Sequence, residues 1–132
     1  MQNVPSQPAA SAERRFRLVL WLWMLAAIPM YYAVMRAVPP GAPTAGPTLL
    51  YVLLPLSVVT AVLSISIRKL VARSKPRDAF ILGLALCEAA ALFGMVAWFV
   101  TGSPHSCYCL GAGAAGMLLH FPRAAQSAAN PE

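Results

Sequence analysis

Residues 83–95, GLALCEAAALFGM, place one acid inside a long apolar run. As a helix rising about 1.5 Å per residue, the run over residues 79–100 can cross a hydrocarbon core of roughly 30 Å. Glu88 then falls near the middle of the membrane. A carboxylate at that depth costs about 2.5 kcal/mol or more to insert, so Glu88 is predicted to bind a proton or another cation.

The composition indicates a membrane protein. Of 132 residues, 59% are hydrophobic and only 11% are charged, which is too apolar for a soluble domain of this size. Long unbroken apolar runs favour helices over the alternating pattern of a barrel. We therefore predict an all-α integral membrane protein with four transmembrane helices, at about residues 18–38, 49–67, 79–101 and 106–121. The fourth is short and rich in glycine.

The basic residues predict how the chain is oriented. The net charge is +6, and Lys and Arg lie before the first apolar run, between the second and third, and after the fourth. This is the positive-inside distribution, so we expect both termini in the cytoplasm and no nucleic-acid partner. We expect flexible cytoplasmic tails at residues 1–12 and 124–132, around a membrane domain at residues 13–123. The small size and the charge bias favour a bacterial inner membrane.

Small residues recur at helical spacing in the last two predicted spans. Lipid provides no hydrophobic drive for helix association, so residues that allow close approach of backbones indicate packing faces. We expect the two faces to pack together, and the protein to form a homo-oligomer or to join other membrane subunits. The faces consist of Gly83, Cys87, Ala91 and Gly94 in the third span, and of Cys109, Ala112, Gly113 and Gly116 in the fourth.

Two interpretations of Glu88 are open. It can be a carboxyl that exchanges a proton or cation, because an apolar environment disfavours the charged form. It can instead be a neutral acid that is hydrogen-bonded to a backbone carbonyl, a Ser or Thr of the second span, or a tyrosine. No basic residue lies within a span to pair with it.

A second group of candidate ligands, His105, Cys107 and Cys109, lies before the fourth span. If this segment is extended, alternate residues share a side and a copper or zinc site can be imagined. If it is helical, the two cysteines point in nearly opposite directions and cannot share an ion. We expect no metal and no cofactor. The sequence contains no Ser-His-Asp set, no phosphate-binding glycine loop and no pair of carboxylates, so we do not expect an enzyme.

The third span also resembles a known family. Residues 83–97, GLALCEAAALFGMVA, are similar to the proton-carrying helix of the ring-forming c subunit of rotary ATP synthases, and the preceding Ala72, Arg73 and Pro76 look like the polar loop of that family. The resemblance implies that Glu88 carries a proton or sodium ion. The second span lacks the repeated glycines of that family, and two further spans surround the hairpin. The alternative function is a non-enzymatic structural or accessory subunit of a membrane complex, packing through its Gly and Ala faces.

Overall fold

The computed structural model describes residues 7–42, 46, 48–71 and 75–122, and over those ranges the chain is helical, with short connections and no strand. This confirms the predicted all-α class. Four α-helices follow one another along the chain, and a 3₁₀ turn at Pro104–Ser106 precedes the last of them. The helices are α1 (Gln7–Ala37), α2 (Thr48–Val71), α3 (Pro76–Thr101) and α4 (Cys107–Leu119).

Proline and glycine mark the ends of the central helix, α3. Pro76 is its first residue. The N–H that proline lacks would have no hydrogen-bond partner within the helix at this position, so nothing is lost. Gly102 ends the helix in the left-handed conformation, with φ 66°, and its N–H donates to Trp98 O. Pro29 and Pro55 lie inside α1 and α2 without ending either helix.

The helix bounds differ from the sequence predictions at two places. α1 begins at Gln7, inside the predicted flexible tail of residues 1–12. A side-chain ion pair between Arg17 and Glu13, 2.8 Å and one turn apart, lies just after this segment, in the polar part of the helix that precedes the apolar run. α4 has 13 residues, three fewer than the predicted span, because Ser106 belongs to the 3₁₀ turn before it and His120 and Phe121 follow its end. The predicted tail at residues 124–132 lies outside the described residues.

Three of the helices are long and apolar enough to cross a membrane: residues 11–37 of α1, and the whole of α2 and α3. Their outward faces are apolar, as in Trp23, 79% exposed, and Tyr51, 77% exposed. α4 is about 20 Å long by its helical rise, which is less than a hydrocarbon core.

The helices alternate in direction. Arg77 at the start of α3 lies 4.5 Å from the Phe16 ring near the start of α1, and Trp98 Nε1 near the end of α3 donates to Val38 O just after α1. These two contacts show that α1 and α3 run parallel.

α2 and α4 run in the opposite direction. Ser57 of α2 contacts Ala90, whereas Ser64, further along α2, contacts Cys87, which comes earlier in α3. α4 pairs with α3 in the same antiparallel sense. The start of α1 and the end of α4 therefore lie at the same end of the bundle.

α3 is the central helix. It contacts α1, α2 and α4, whereas α1 and α2 make no contact with each other in the described part of the chain. Trp21, Ile28 and Met35 recur every seven residues and form the buried stripe of α1. With Leu84 and Met117, they belong to the hydrophobic core between α1, α3 and α4.

Because the helices alternate in direction, the Lys and Arg residues that the structure describes lie at one end of the bundle, which we call the basic end. The exception is Arg36, which lies at the other end. The residues of the basic end are Arg14, Arg15 and Arg17 of α1, Arg68 and Lys69 of α2, Lys75 before α3 and Arg77 within α3.

Candidate functional site

Glu88 is half-buried on α3 and is hydrogen-bonded to α1. Tyr31 Oη lies 2.6 Å from Glu88 Oε1, and the phenol donates to the carboxylate. Tyr31 is three residues after Ile28 and four before Met35, so it lies on the inward side of α1. α1 and α3 run parallel, with Phe16 beside Arg77 and Val38 beside Trp98, and this alignment brings Tyr31, in the last third of α1, level with Glu88.

The length of this bond is within the usual range of O–H···O hydrogen bonds. No Lys, Arg or His of the described residues forms an ion pair with Glu88, and Oε2 has no hydrogen-bond partner among them. A phenol can donate to a carboxylate and can also accept from a carboxylic acid. The pair can therefore hold together with or without a proton on Glu88.

Glu88 lies midway along α3. It is 12 residues after Pro76 and 13 before Thr101, or about 18 Å and 20 Å along the axis at the usual helical rise. Ala85, one turn before it on the same side, is exposed and small, and Leu92, one turn after it, is half-buried. The carboxyl therefore lies at the border between the core and the outer surface of the bundle.

The predicted small residues of α3 lie against α4. A methyl group on Gly113 would lie 2.7 Å from Cys87 O and 2.8 Å from Ala91 Cβ. A methyl group on Gly94 would lie 2.8 Å from Ser106 O. Both distances are below van der Waals contact, so the two helices approach as closely as glycine allows.

The other predicted packing residues contact different neighbours. A methyl group on Gly116 would lie 2.7 Å from Cys87 Sγ, and Cys109 is buried against Gly94. Ala112 is half-buried and lines an apolar groove between α4 and α2. Gly83 does not contact a glycine of α4, because its neighbour is the ring of His120.

The structure does not bring His105, Cys107 and Cys109 together. Cys107 is exposed and Cys109 is buried, as the helical alternative predicts. The exposed His105 ring stacks on Tyr108, with ring centroids 5.8 Å apart. Within residues 7–42, 46, 48–71 and 75–122, no group of three potential metal ligands is present.

Sequence reasoning missed a buried polar cluster, Ser64, Cys87 and His120, at the junction of α2, α3 and α4. Cys87 Sγ lies 3.3 Å from Ser64 Oγ and 3.9 Å from His120 Nδ1. His120 is 1% exposed. One signal was available, since His120 continues the spacing of Gly113 and Gly116 by four residues and so belongs to the same face of α4.

Comparison with protein families, curated proteins and solved structures found no match for this chain.

Proposed function

We propose that the chain is a four-helix integral membrane protein whose Glu88 and Tyr31 form an intramembrane binding site for a proton or another cation. The hydrogen bond of 2.6 Å between the two side chains, at the middle of a helix long enough to span, is the observation that carries this proposal. An ionisable group at that depth is costly unless it has a partner, and here the partner is a neutral phenol.

The arrangement of charges supports a membrane orientation. The basic end of the bundle corresponds to the cytoplasmic side under the positive-inside rule, with both termini there. α4 and the 3₁₀ turn before it add up to about 25 Å at their respective rises, close to the thickness of a hydrocarbon core. We propose the inner membrane of a bacterium as the location.

The resemblance of residues 83–97 to the c subunit of rotary ATP synthases suggests how the site works. In this proposal Glu88 takes up a proton or cation and releases it again, and Tyr31 holds the carboxyl in place between the two steps. Small, exposed Ala85 leaves room beside the carboxyl on the side where an ion or a second subunit can approach. A homo-oligomer or a complex with other membrane subunits would provide that approach.

The same hydrogen bond supports a second function, that of a non-enzymatic structural or accessory subunit. Tyr31 satisfies Glu88 without any ion, and the small residues of α3 and α4 are already used inside the chain. A partner would then dock on the exposed apolar sides of α1 or α2. In this case Glu88→Gln leaves assembly nearly unchanged, because the amide oxygen still accepts from Tyr31.

Labelling with a hydrophobic carbodiimide separates the two functions. The reagent modifies a protonated carboxyl in an apolar site, and mass spectrometry locates the modified residue in purified protein at several pH values. Binding of a proton predicts that Glu88 is labelled and that labelling fades as pH rises. Binding of another cation predicts that sodium shifts the midpoint of this loss. A Glu88 that is unlabelled at every pH refutes the exchange of a proton or cation and leaves the structural function.

Two tyrosine variants make the test specific. Tyr31→Phe removes the hydroxyl that donates to Glu88, so the pH profile of Glu88 labelling is expected to differ from that of the wild type. Tyr32→Phe changes the next residue, which is exposed, and is expected to match the wild type. Equal pH profiles for the two variants would show that Tyr31 does not act on Glu88.

A further inference from the structure

His120 is buried at the end of α4 with an unused ring nitrogen. Its Nε2 is the one fully buried side-chain nitrogen or oxygen of the described residues that has no hydrogen-bond partner. The ring packs against α3 so closely that a methyl group on Gly83 would lie 2.6 Å from Nε2. A buried polar atom without a hydrogen bond lowers the stability of the fold, and a phenylalanine at this position would avoid that loss. The presence of a histidine therefore indicates a role for its ring.

The hydrogen bonds of the ring define its protonation state. Nδ1 lies 2.8 Å from Gly116 O, and a carbonyl oxygen can only accept, so Nδ1 carries a hydrogen. In the neutral ring Nε2 is then a bare acceptor. A proton added to Nε2 would create a charged donor that faces Gly83 without an acceptor, which the packed arrangement cannot satisfy.

The end of α4 is held by contacts around this ring. His120 Nδ1 lies 3.9 Å from Cys87 Sγ, and Trp21 Nε1 donates to Met117 O at 2.8 Å. The Phe121 ring meets the Trp21 ring edge to face, with centroids 5.0 Å apart. His120 lies between Met117 and Phe121 in the chain, so these contacts hold the end of α4 to α1 while the ring contacts α3.

No charged side chain of the described residues is hydrogen-bonded or ion-paired to the ring. α1 contributes Arg17, one turn before Trp21 and paired with Glu13, and α2 contributes Arg68, one turn beyond Ser64 on the same side of the helix. On α3 the titratable neighbour is the thiol of Cys87, while Asp78 in the first turn is exposed. No carboxylate of the described residues is hydrogen-bonded or ion-paired to His120.

We propose that His120 is a pH-sensitive latch, in which protonation at Nε2 releases the end of α4 from Gly83 and Cys87. The docked state holds a neutral ring, and the released state gives the charged ring access to water. Histidine is the side chain suited to such a switch near neutral pH. The latch involves the α2, α3 and α4 junction and does not depend on ion binding at Glu88.

The sign and steepness of the effect follow from proton linkage. The released state binds one more proton than the docked state, so release increases as pH falls. For one proton, the ratio of released to docked protein rises by up to about tenfold for each unit of pH. Cys87 is shielded by His120 and by α4 at Gly116, so its accessibility reports release.

The test is modification of the full-length protein in lipid nanodiscs by N-ethylmaleimide, between about pH 8 and about pH 5.5, on either side of the usual range of histidine. Mass spectrometry measures modification at each cysteine. Exposed Cys107 corrects for the slower reaction of thiols at low pH, and buried Cys109 reports general loosening of α4. The ratio of Cys87 to Cys107 is expected to rise as pH falls, while the ratio of Cys109 to Cys107 stays constant. A flat Cys87 ratio, or a parallel rise of both ratios, overturns the proposal.

Two variants identify the group that titrates. His120→Gln keeps a polar side chain that does not titrate here, so the ratio for Cys87 should no longer depend on pH. Gly83→Ala places a methyl group where the ring lies and should raise the ratio at every pH. A pH dependence that survives in His120→Gln would assign the change to another group and refute the latch.

Discussion

Two glycines of α4, two residues apart, provide a direct test of the close packing between α3 and α4. A methyl group on Gly113 would meet the α3 backbone, at 2.7 Å from Cys87 O and 2.9 Å from Ala91 N. A methyl group on Gly111 would meet nothing within 4 Å. Gly113→Ala and Gly111→Ala therefore make the same chemical change in one helix, with and without a steric conflict.

The expected magnitudes follow from these distances. Alanine in place of glycine inside a helix gains roughly 0.5–1 kcal/mol through backbone entropy, and this gain applies to both variants. Carbon atoms pack best at about 3.5–4.0 Å, so at Gly113 the helices must separate by roughly 1 Å. Overpacking of this kind costs about 1–3 kcal/mol. Gly113→Ala should therefore be less stable than Gly111→Ala by about 1–3 kcal/mol.

Equilibrium unfolding in mixed detergent micelles, followed by tryptophan fluorescence, measures this difference. Gly111→Ala should unfold at the same denaturant fraction as the wild type or a higher one, and Gly113→Ala at a lower one. Equal stability of the two variants, or a more stable Gly113→Ala, would show that α3 and α4 do not approach at this point.

Other contacts lead to predictions of the same kind. Trp21→Phe removes the indole N–H that donates to Met117 O, which still accepts from the His120 N–H, and should cost about 0.5–1.5 kcal/mol of unfolding free energy. Trp23→Phe, at an exposed position, should change it little. Similar losses in both variants would argue against the bond to Met117. Ser57→Ala removes a hydroxyl that donates to Ala90 O at 3.0 Å and should cost about 1 kcal/mol, measured against exposed Ser66→Ala. A Ser57→Ala protein as stable as the Ser66→Ala control would contradict that hydrogen bond between α2 and α3.

Much of the helix layout could be predicted from the sequence because it depends on local properties. Long apolar runs and the polar or proline-rich segments between them place α2 and α3 to within a few residues. α1 begins at Gln7, inside the predicted tail, because a low apolar content does not by itself prevent a helix from extending beyond its apolar run. α4 is shorter than the predicted span, because the apolar stretch also includes Ser106 of the 3₁₀ turn and His120 and Phe121, which follow the helix.

Only one residue of the candidate site, Glu88, could be predicted from the sequence. The position of Glu88 in an apolar run marks it as unusual, and a tyrosine was one of several partners that remained open. The sequence could not choose Tyr31, because that choice depends on α1 lying beside α3 in the parallel direction. His120 was missed, although its spacing from Gly113 and Gly116 places it on the same face of α4.

The sequence by itself determined which segments are helical, which residues are small enough for close packing, and where the charges lie along the chain. These properties depend on hydropathy and on the 3.6-residue period, which are local. Tertiary structure alone decided that Tyr31 meets Glu88 and that Ser64, Cys87 and His120 meet at one junction. Those pairs are far apart in the chain, and they come together because small residues let α3 and α4 approach each other, with α1 and α2 packed on either side.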